Sequence, residues 1–197
     1  MPFYLNQFKP YLKKAAFFLL MVSCASLSFA QKTATDTIDA FREQAFSGAP
    51  QTWRTLWVTK SLRAEAEKIL GHSFNGVRLR YWGQLNRTAW VFDEIGKERP
   101  ITIGVVVDHH KIDQVQVLTF RESRGGEIRY PFFTDQFVGL GLSADENEPY
   151  LLDNSIDGIS GATLSVRAVK KVAALALFFH QQTDFGRSKV LDKRLAE

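Results

Sequence analysis

Cysteine is almost missing from this sequence: one residue, Cys24, in 197. A single thiol allows no intramolecular disulfide, no cysteine-ligated iron–sulfur cluster and no C-x-x-C-H haem attachment. Charge of one sign is missing too. Lys and Arg total 25 against 21 Asp and Glu, but Lys9, Lys13 and Lys14 fall in the first thirty positions, which hold no acid, so the rest stands at 22 against 21. The pI of about 9.2 therefore owes much to the N-terminus, and a nucleic-acid partner is not indicated. No internal repeat, heptad run or low-complexity stretch is present, and there is no Walker loop, His-Glu-x-x-His or nucleophile elbow.

What is there begins with the leader. Behind the three lysines, Ala15 to Ala30 is an apolar run of sixteen residues ending in Ser28-Phe29-Ala30. A spanning helix needs roughly 20 apolar residues, so the run reads as a cleaved signal peptide over residues 1–30, with the mature chain starting at Gln31. Two alternatives stay open: a lipoprotein at Cys24, behind the poor lipobox Met21-Val22-Ser23, and an uncleaved anchor in a thin bilayer. The expected location is the periplasm or the outer face of the inner membrane. Cleavage removes the one cysteine, so redox chemistry would have to come from an organic cofactor or a non-thiolate metal site.

The remainder is 45% hydrophobic with 16 Phe and 4 Trp along the whole chain, a composition that packs. We divide it into an N-terminal helical region (31–75), a main domain (76–185) and a charged tail (186–197). A weak helix is expected around Ile38–Phe46. A stronger one runs from Thr59 to Leu70, stopped by Gly71. Period-two alternation marks strands at Val77–Tyr81, Ile101–Val107 and Ile112–Phe120, and Thr88–Phe92 is a short β-rich run, together an antiparallel meander with one buried face. Arg121 to Asp157 reads as irregular. A final helix spans about Ala162 to Gln181, with Val166, Val169, Val172, Ala173 and Ala176 on one face and Arg167, Lys170 and Lys171 opposite. The expected fold class is α+β: a twisted antiparallel sheet flanked by helices from both chain ends.

The sharpest pattern is Asp157-Gly158-Ile159-Ser160-Gly161-Ala162-Thr163-Leu164-Ser165. Its glycines permit tight turns and close backbone approach. Ser160 is placed to cap the following helix, whose first amides and positive dipole end suit a phosphate. Thr163 sets a hydroxyl in that first turn. From these residues alone the stretch is either a capped helix with a glycine-rich lead-in or an anion site containing a hydroxyl.

The same nine residues resemble the flavinylation motif of the FMN-binding domain family, Asp-Gly-x-Ser/Thr-Gly-Ala-Thr-x-Ser/Thr. Seven fixed positions agree: Asp157, Gly158, Ser160, Gly161, Ala162, Thr163 and Ser165. The family includes the C subunit of the sodium-translocating NADH:quinone reductase and the G subunit of the Rnf complex. A second likeness lies in Arg121–Glu127 and Phe133–Gly139, similar to the family's Glu-Thr-Pro-Gly-Leu-Gly loop and Gln-Phe-x-Gly. Here the chain departs from the pump subunits, with Ser123-Arg124 where they carry Thr-Pro. The resemblance covers roughly 105–178.

That resemblance implies covalent FMN, joined by a phosphoester to Thr163 by a Mg²⁺-dependent flavin transferase. It implies that Gly161 and Ala162 surround the phosphate, that Ser160 caps or hydrogen-bonds, and that Glu122, Ser123 and Gly125 face the ribityl chain or ring. Asp157 either serves the transferase's Mg²⁺ or braces the loop. Trp82 and Tyr130 are the aromatic candidates to stack on the flavin. The implied role is relay of electrons to or from a membrane or periplasmic redox protein; an FMN-dependent reductase of a small acceptor and a non-flavinylated binding module are the alternatives.

Three further signals are set aside. Gly139–Ala144 has the letters of a dinucleotide fingerprint but no strand before it or helix after it. His109-His110 reads as a solvated turn, since no further ligand stands at helical spacing. Asn86-Arg87-Thr88 is a formal glycosylation sequon without weight behind a bacterial-type leader.

Overall fold

The structure, a computed structural model, describes residues 34–49, 53–145, 147–148 and 150–187. The proposed leader and most of the charged tail lie outside the described residues. The described residues from Thr37 to Arg187 belong to one compact unit.

The element order is α1 (Ala34–Ala45), β1 (Arg54–Trp57), α2 (Lys60–Leu70), β2 (Arg78–Gln84), β3 (Arg87–Ile95), β4 (Pro100–Asp108), β5 (Lys111–Thr119), a run of short turns and α3 (Pro131–Thr134), then α4 (Thr163–Gln181). The five strands pair in chain order, every neighbour antiparallel. The expected α+β meander is thus what forms; from β2 to β5 the connections are short because adjacent strands follow each other in sequence, while α2 intervenes between β1 and β2.

Local chemistry accounts for the boundaries. Thr59 caps α2, its Oγ1 accepting from the Leu62 amide at 3.3 Å; Gly71 ends the helix at φ 71°, its amide donating to the Glu67 carbonyl at 2.8 Å. His109 and His110 take φ of 50° and 64° and close the β4–β5 hairpin between the paired residues Asp108 and Lys111, the two-residue type I′ geometry that matches strand twist. The two histidines are a turn, as the sequence indicates. His109 leans on Asp108 at 2.6 Å.

Two expectations need correction. The sheet is buried on both faces. Ile101, Ile103, Val105 and Val107 of β4 face the main core with α2 and α4, whereas Val106 joins Phe41, Ala45, Phe46, Trp82 and Ala89 in a second cluster under α1. The weak helix supplies that second layer because its few large apolar residues fall on one side. Second, the segment 121–157 is less irregular than it reads. It holds 3₁₀ turns at Gly126–Arg129 and Asp135–Phe137 with α3 between them, and closes on itself through a Leu142–Leu152 bridge. Short β1 carries no strong pattern and was not anticipated. It is an exposed edge strand of four residues.

α4 is the organising element. It packs on β3, β4 and β5 and against α2, and nine consecutive residues, Val172 to His180, are buried. That burial fixes where its N-terminus emerges.

Candidate functional site

Three backbone segments meet at the start of α4: the β3–β4 turn (residues 96–99), the loop after β5 (residues 120–125) and the motif loop 157–162. Glu122 ties the first two together. Its Oε1 accepts from the amides of Lys97, Glu98 and Arg99 at 2.6, 2.7 and 2.9 Å. Those donors, the Arg99 amide foremost and then that of Glu98, hold its carboxyl below the ordinary carboxylate range. Glu122 therefore lines the site with one oxygen already committed to the turn.

Gly125 ties the second segment to the third. It has φ 84°, and a β-carbon there would lie 3.1 Å from Ala162 Cβ and 3.2 Å from Ser165 Oγ. Both the left-handed backbone and the close approach exclude a side chain. The motif loop itself is held by Gln136, whose Oε1 accepts from the Asp157 amide at 2.7 Å while its amide nitrogen donates to the Phe132 carbonyl at 3.2 Å. Asp157 thus braces the loop through its backbone; its side chain is exposed.

The motif turns at Gly161, φ 79°, with the Ala162 amide donating to the Ile159 carbonyl at 2.9 Å. Ala162 is the N-cap residue, and no side chain caps the helix. The expected Ser160 cap is not made: this turn puts Ser160 two residues before the cap position, exposed beside Gly161 in the adjoining cleft. The first-turn amides of α4 have no carbonyl to bond within the helix, so they are available to an anion at its positive end. Of the two hydroxyls in that turn, Thr163 is exposed and Ser165 is buried.

Thr163 stands between two hollows. One is a polar cleft of about 610 Å³ lined by Lys97, Glu122, Ser123, Arg124 and residues 161–165. The other is a groove of about 480 Å³ running along α4, walled by Ile69, Tyr150, Leu152, Ile156 and Val166, with Gly158, Arg167 and Lys170 at its rim. Of the nine residues expected at the site, Glu122, Ser123, Gly161, Ala162 and Thr163 line the polar cleft, Ser160 and Gly125 line the adjoining hollow, and Gly158 lines the groove. Asp157 adjoins them in the chain.

The aromatic candidates fare differently. Trp82 is buried under α1, stacked on Trp53 at 3.9 Å between centroids, on the face of the sheet away from α4; it cannot stack on a ligand at Thr163. Tyr130 is exposed beside Phe132. Phe120 lines the hollow adjoining the cleft and Tyr150 lines the groove; the sequence reading missed both as site residues, along with Lys97, Arg167 and Lys170. Tyr150, Phe120 and Lys97 carry no local pattern and are brought in by the fold, whereas Arg167 and Lys170 stand on the polar helix face that periodicity marks, one and two turns after Thr163. Gln136 also carried a signal, lying in the Gln-Phe-x-Gly likeness.

An open helix start, basic side chains, an exposed hydroxyl and an adjacent apolar groove are features that suit a phosphorylated ligand with a flat ring. Residues 96–177, from the β3–β4 turn through most of α4, match the model of the FMN-binding domain. This part of the chain belongs to that family, and the protein is an FMN-binding flavoprotein. Among curated proteins none matches the chain.

Proposed function

We propose that the protein is an exported electron carrier whose FMN is attached by a phosphoester to Thr163. The observation that carries this reading is the position of Thr163: an exposed hydroxyl in the first turn of α4, lining both hollows. The residues present fit the group. Lys97, Arg124 and the first-turn amides suit a phosphate, and Ser123 suits the ribityl hydroxyls.

Attachment makes a bond between Thr163 Oγ and phosphorus. The bond broken is the pyrophosphate link of a flavin dinucleotide donor, whose nucleoside monophosphate leaves, and the hydroxyl proton passes to a base of the Mg²⁺-dependent flavin transferase. Bound FMN supplies a ring that takes up two electrons and passes them on singly. The chain's own part is to hold the phosphate at the helix start, keep the motif loop rigid through Gln136, and set the charge around the ring. A tether prevents cofactor loss outside the cytoplasm, which agrees with the leader pattern of residues 1–30. The partner is a membrane or periplasmic redox protein.

Co-expression with an exported flavin transferase is expected to add one FMN minus water to the intact mass, on a chain beginning at Gln31. Thr163→Val keeps the shape of the side chain without its nucleophile and is expected to abolish the adduct entirely while leaving the circular dichroism spectrum unchanged. An adduct that survives Thr163→Val overturns the attachment site.

A further inference from the structure

We propose that the ring of the FMN held at Thr163 lies in the apolar groove along α4, against Tyr150, and that Arg167 and Lys170 at its rim raise the flavin's reduction potential. This rests on the attachment proposed above and concerns where the ring goes from there.

Thr163, Arg167, Lys170 and Ala174 follow at steps of four, three and four, so they form one stripe along α4, exposed at Thr163 and buried by Ala174, and all four line the groove. At 1.5 Å per residue, Lys170 stands about 10 Å along the axis from Thr163. A ring tethered at the stripe's start can therefore lie beside the rest of it. The two hollows meeting at Thr163 differ in chemistry. The cleft is walled by Lys97, Glu122, Ser123, Arg124 and Ser165, so an aromatic ring placed there would desolvate charges. The groove is walled by Ile69, Leu152, Ile156 and Val166, and its volume falls within the usual range for small-molecule sites. Burial of apolar area favours the groove for the ring and leaves the cleft to the phosphate and ribityl chain.

Charge at the groove is uneven. Lys171 is engaged with buried Glu94 at 3.6 Å, and Glu65 accepts a hydrogen bond from the Tyr150 hydroxyl and pairs with Lys68 at 3.0 Å. Arg167 and Lys170 are left as the cations on the ring's side of the helix. Reduction places negative charge on a flavin, so nearby cations favour the reduced form. Tyr150 is set rigidly by its bond to Glu65, and its phenol is pushed up to about 12 by burial and then by Glu65, so it stays neutral. A tyrosine in contact with a flavin quenches its fluorescence by electron donation.

The test uses the full chain flavinylated by co-expression, with adduct mass checked first. Expected results are flavin fluorescence several-fold below that of free FMN, at least several-fold recovery in Tyr150→Phe, and a lower midpoint potential in Arg167→Gln/Lys170→Gln. Lys97→Gln/Arg124→Gln is expected to change the potential less. Absence of the adduct in the wild type overturns the attachment, and the ring's seat with it. An adduct whose fluorescence equals free FMN, or is unmoved by Tyr150→Phe, overturns the seat alone. So does a potential that follows Lys97 and Arg124 rather than Arg167 and Lys170.

Discussion

The two halves of α4 share one backbone and do opposite things. From Val172 to His180 every residue is buried; in the first half Thr163, Leu164 and Arg167 are exposed and Lys170 and Lys171 half-buried. The buried half gives the helix its position, and the open half uses that position to present a hydroxyl, two cations and a row of amides. Chemistry at the helix start is thus anchored by packing a dozen residues away.

That comparison can be broken from either end. The largest effect on stability is expected from Phe179→Ala. Phe179 is fully buried and packs against the rings of Phe74, Trp90, Phe92 and Phe178. Its truncation is expected to cost about 3–5 kcal/mol in urea unfolding. By contrast Thr163→Val, which takes away the proposed acceptor hydroxyl, should leave the midpoint within experimental error.

Next comes pH. His180 is fully buried, with Nδ1 2.8 Å from Thr88 Oγ1. Burial, then the neighbouring His110, pushes its pKa down to about 4 from the ordinary 6.5. Between those values the unfolded chain binds more protons, so stability is full above about 6.5 and declines as pH falls toward 4, by about 3 kcal/mol at most. Urea midpoints at pH 7.5 and 4.5 check this, and equal midpoints would contradict it. His72, half-exposed against Glu94 at 3.0 Å, runs the other way. The Ser73 carbonyl and then Glu94 raise its pKa, so its small contribution is present at low pH and lost as pH rises through the raised value.

In the open half the expected losses are smaller. Gly125→Ala forces a side chain into φ 84° and against Ala162, at a cost of about 1–3 kcal/mol. It should also slow flavinylation, read as adduct formed per unit time. Gln136→Ala removes the acceptor for the Asp157 amide, about 1 kcal/mol, and is best seen as faster hydrogen exchange at that amide. If Gln136→Ala proves costlier than Phe179→Ala, the motif loop carries the fold and the comparison is reversed.

Much of this was legible in the chain itself. Thr59 and Gly71 mark the limits of α2 because capping and left-handed geometry are decided within four residues. Alternation, with the β-rich composition of Thr88–Phe92, located four of the five strands and assigned Ile101, Ile103, Val105 and Val107 to one face. The motif put a hydroxyl and an open helix start together, since Thr163 and the amides of α4 are neighbours in sequence. Ser160 misled for a local reason: Gly161's positive φ inserts a turn that shifts the cap to Ala162.

What sequence by itself determined were the features built over short separations: helix limits, strand periodicity, the His109-His110 turn and the chemistry of residues 157–165. What only the tertiary structure decided were contacts between distant segments: the second layer of α1 on β4, the exclusion of Trp82 from the site, the Glu122 clamp on the 97–99 amides, and the groove that brings Tyr150 to α4. The reason is physical. Capping and periodicity are written in neighbouring dihedrals, whereas a groove exists only after burial of Val172 to His180 has fixed where one helix lies against the rest.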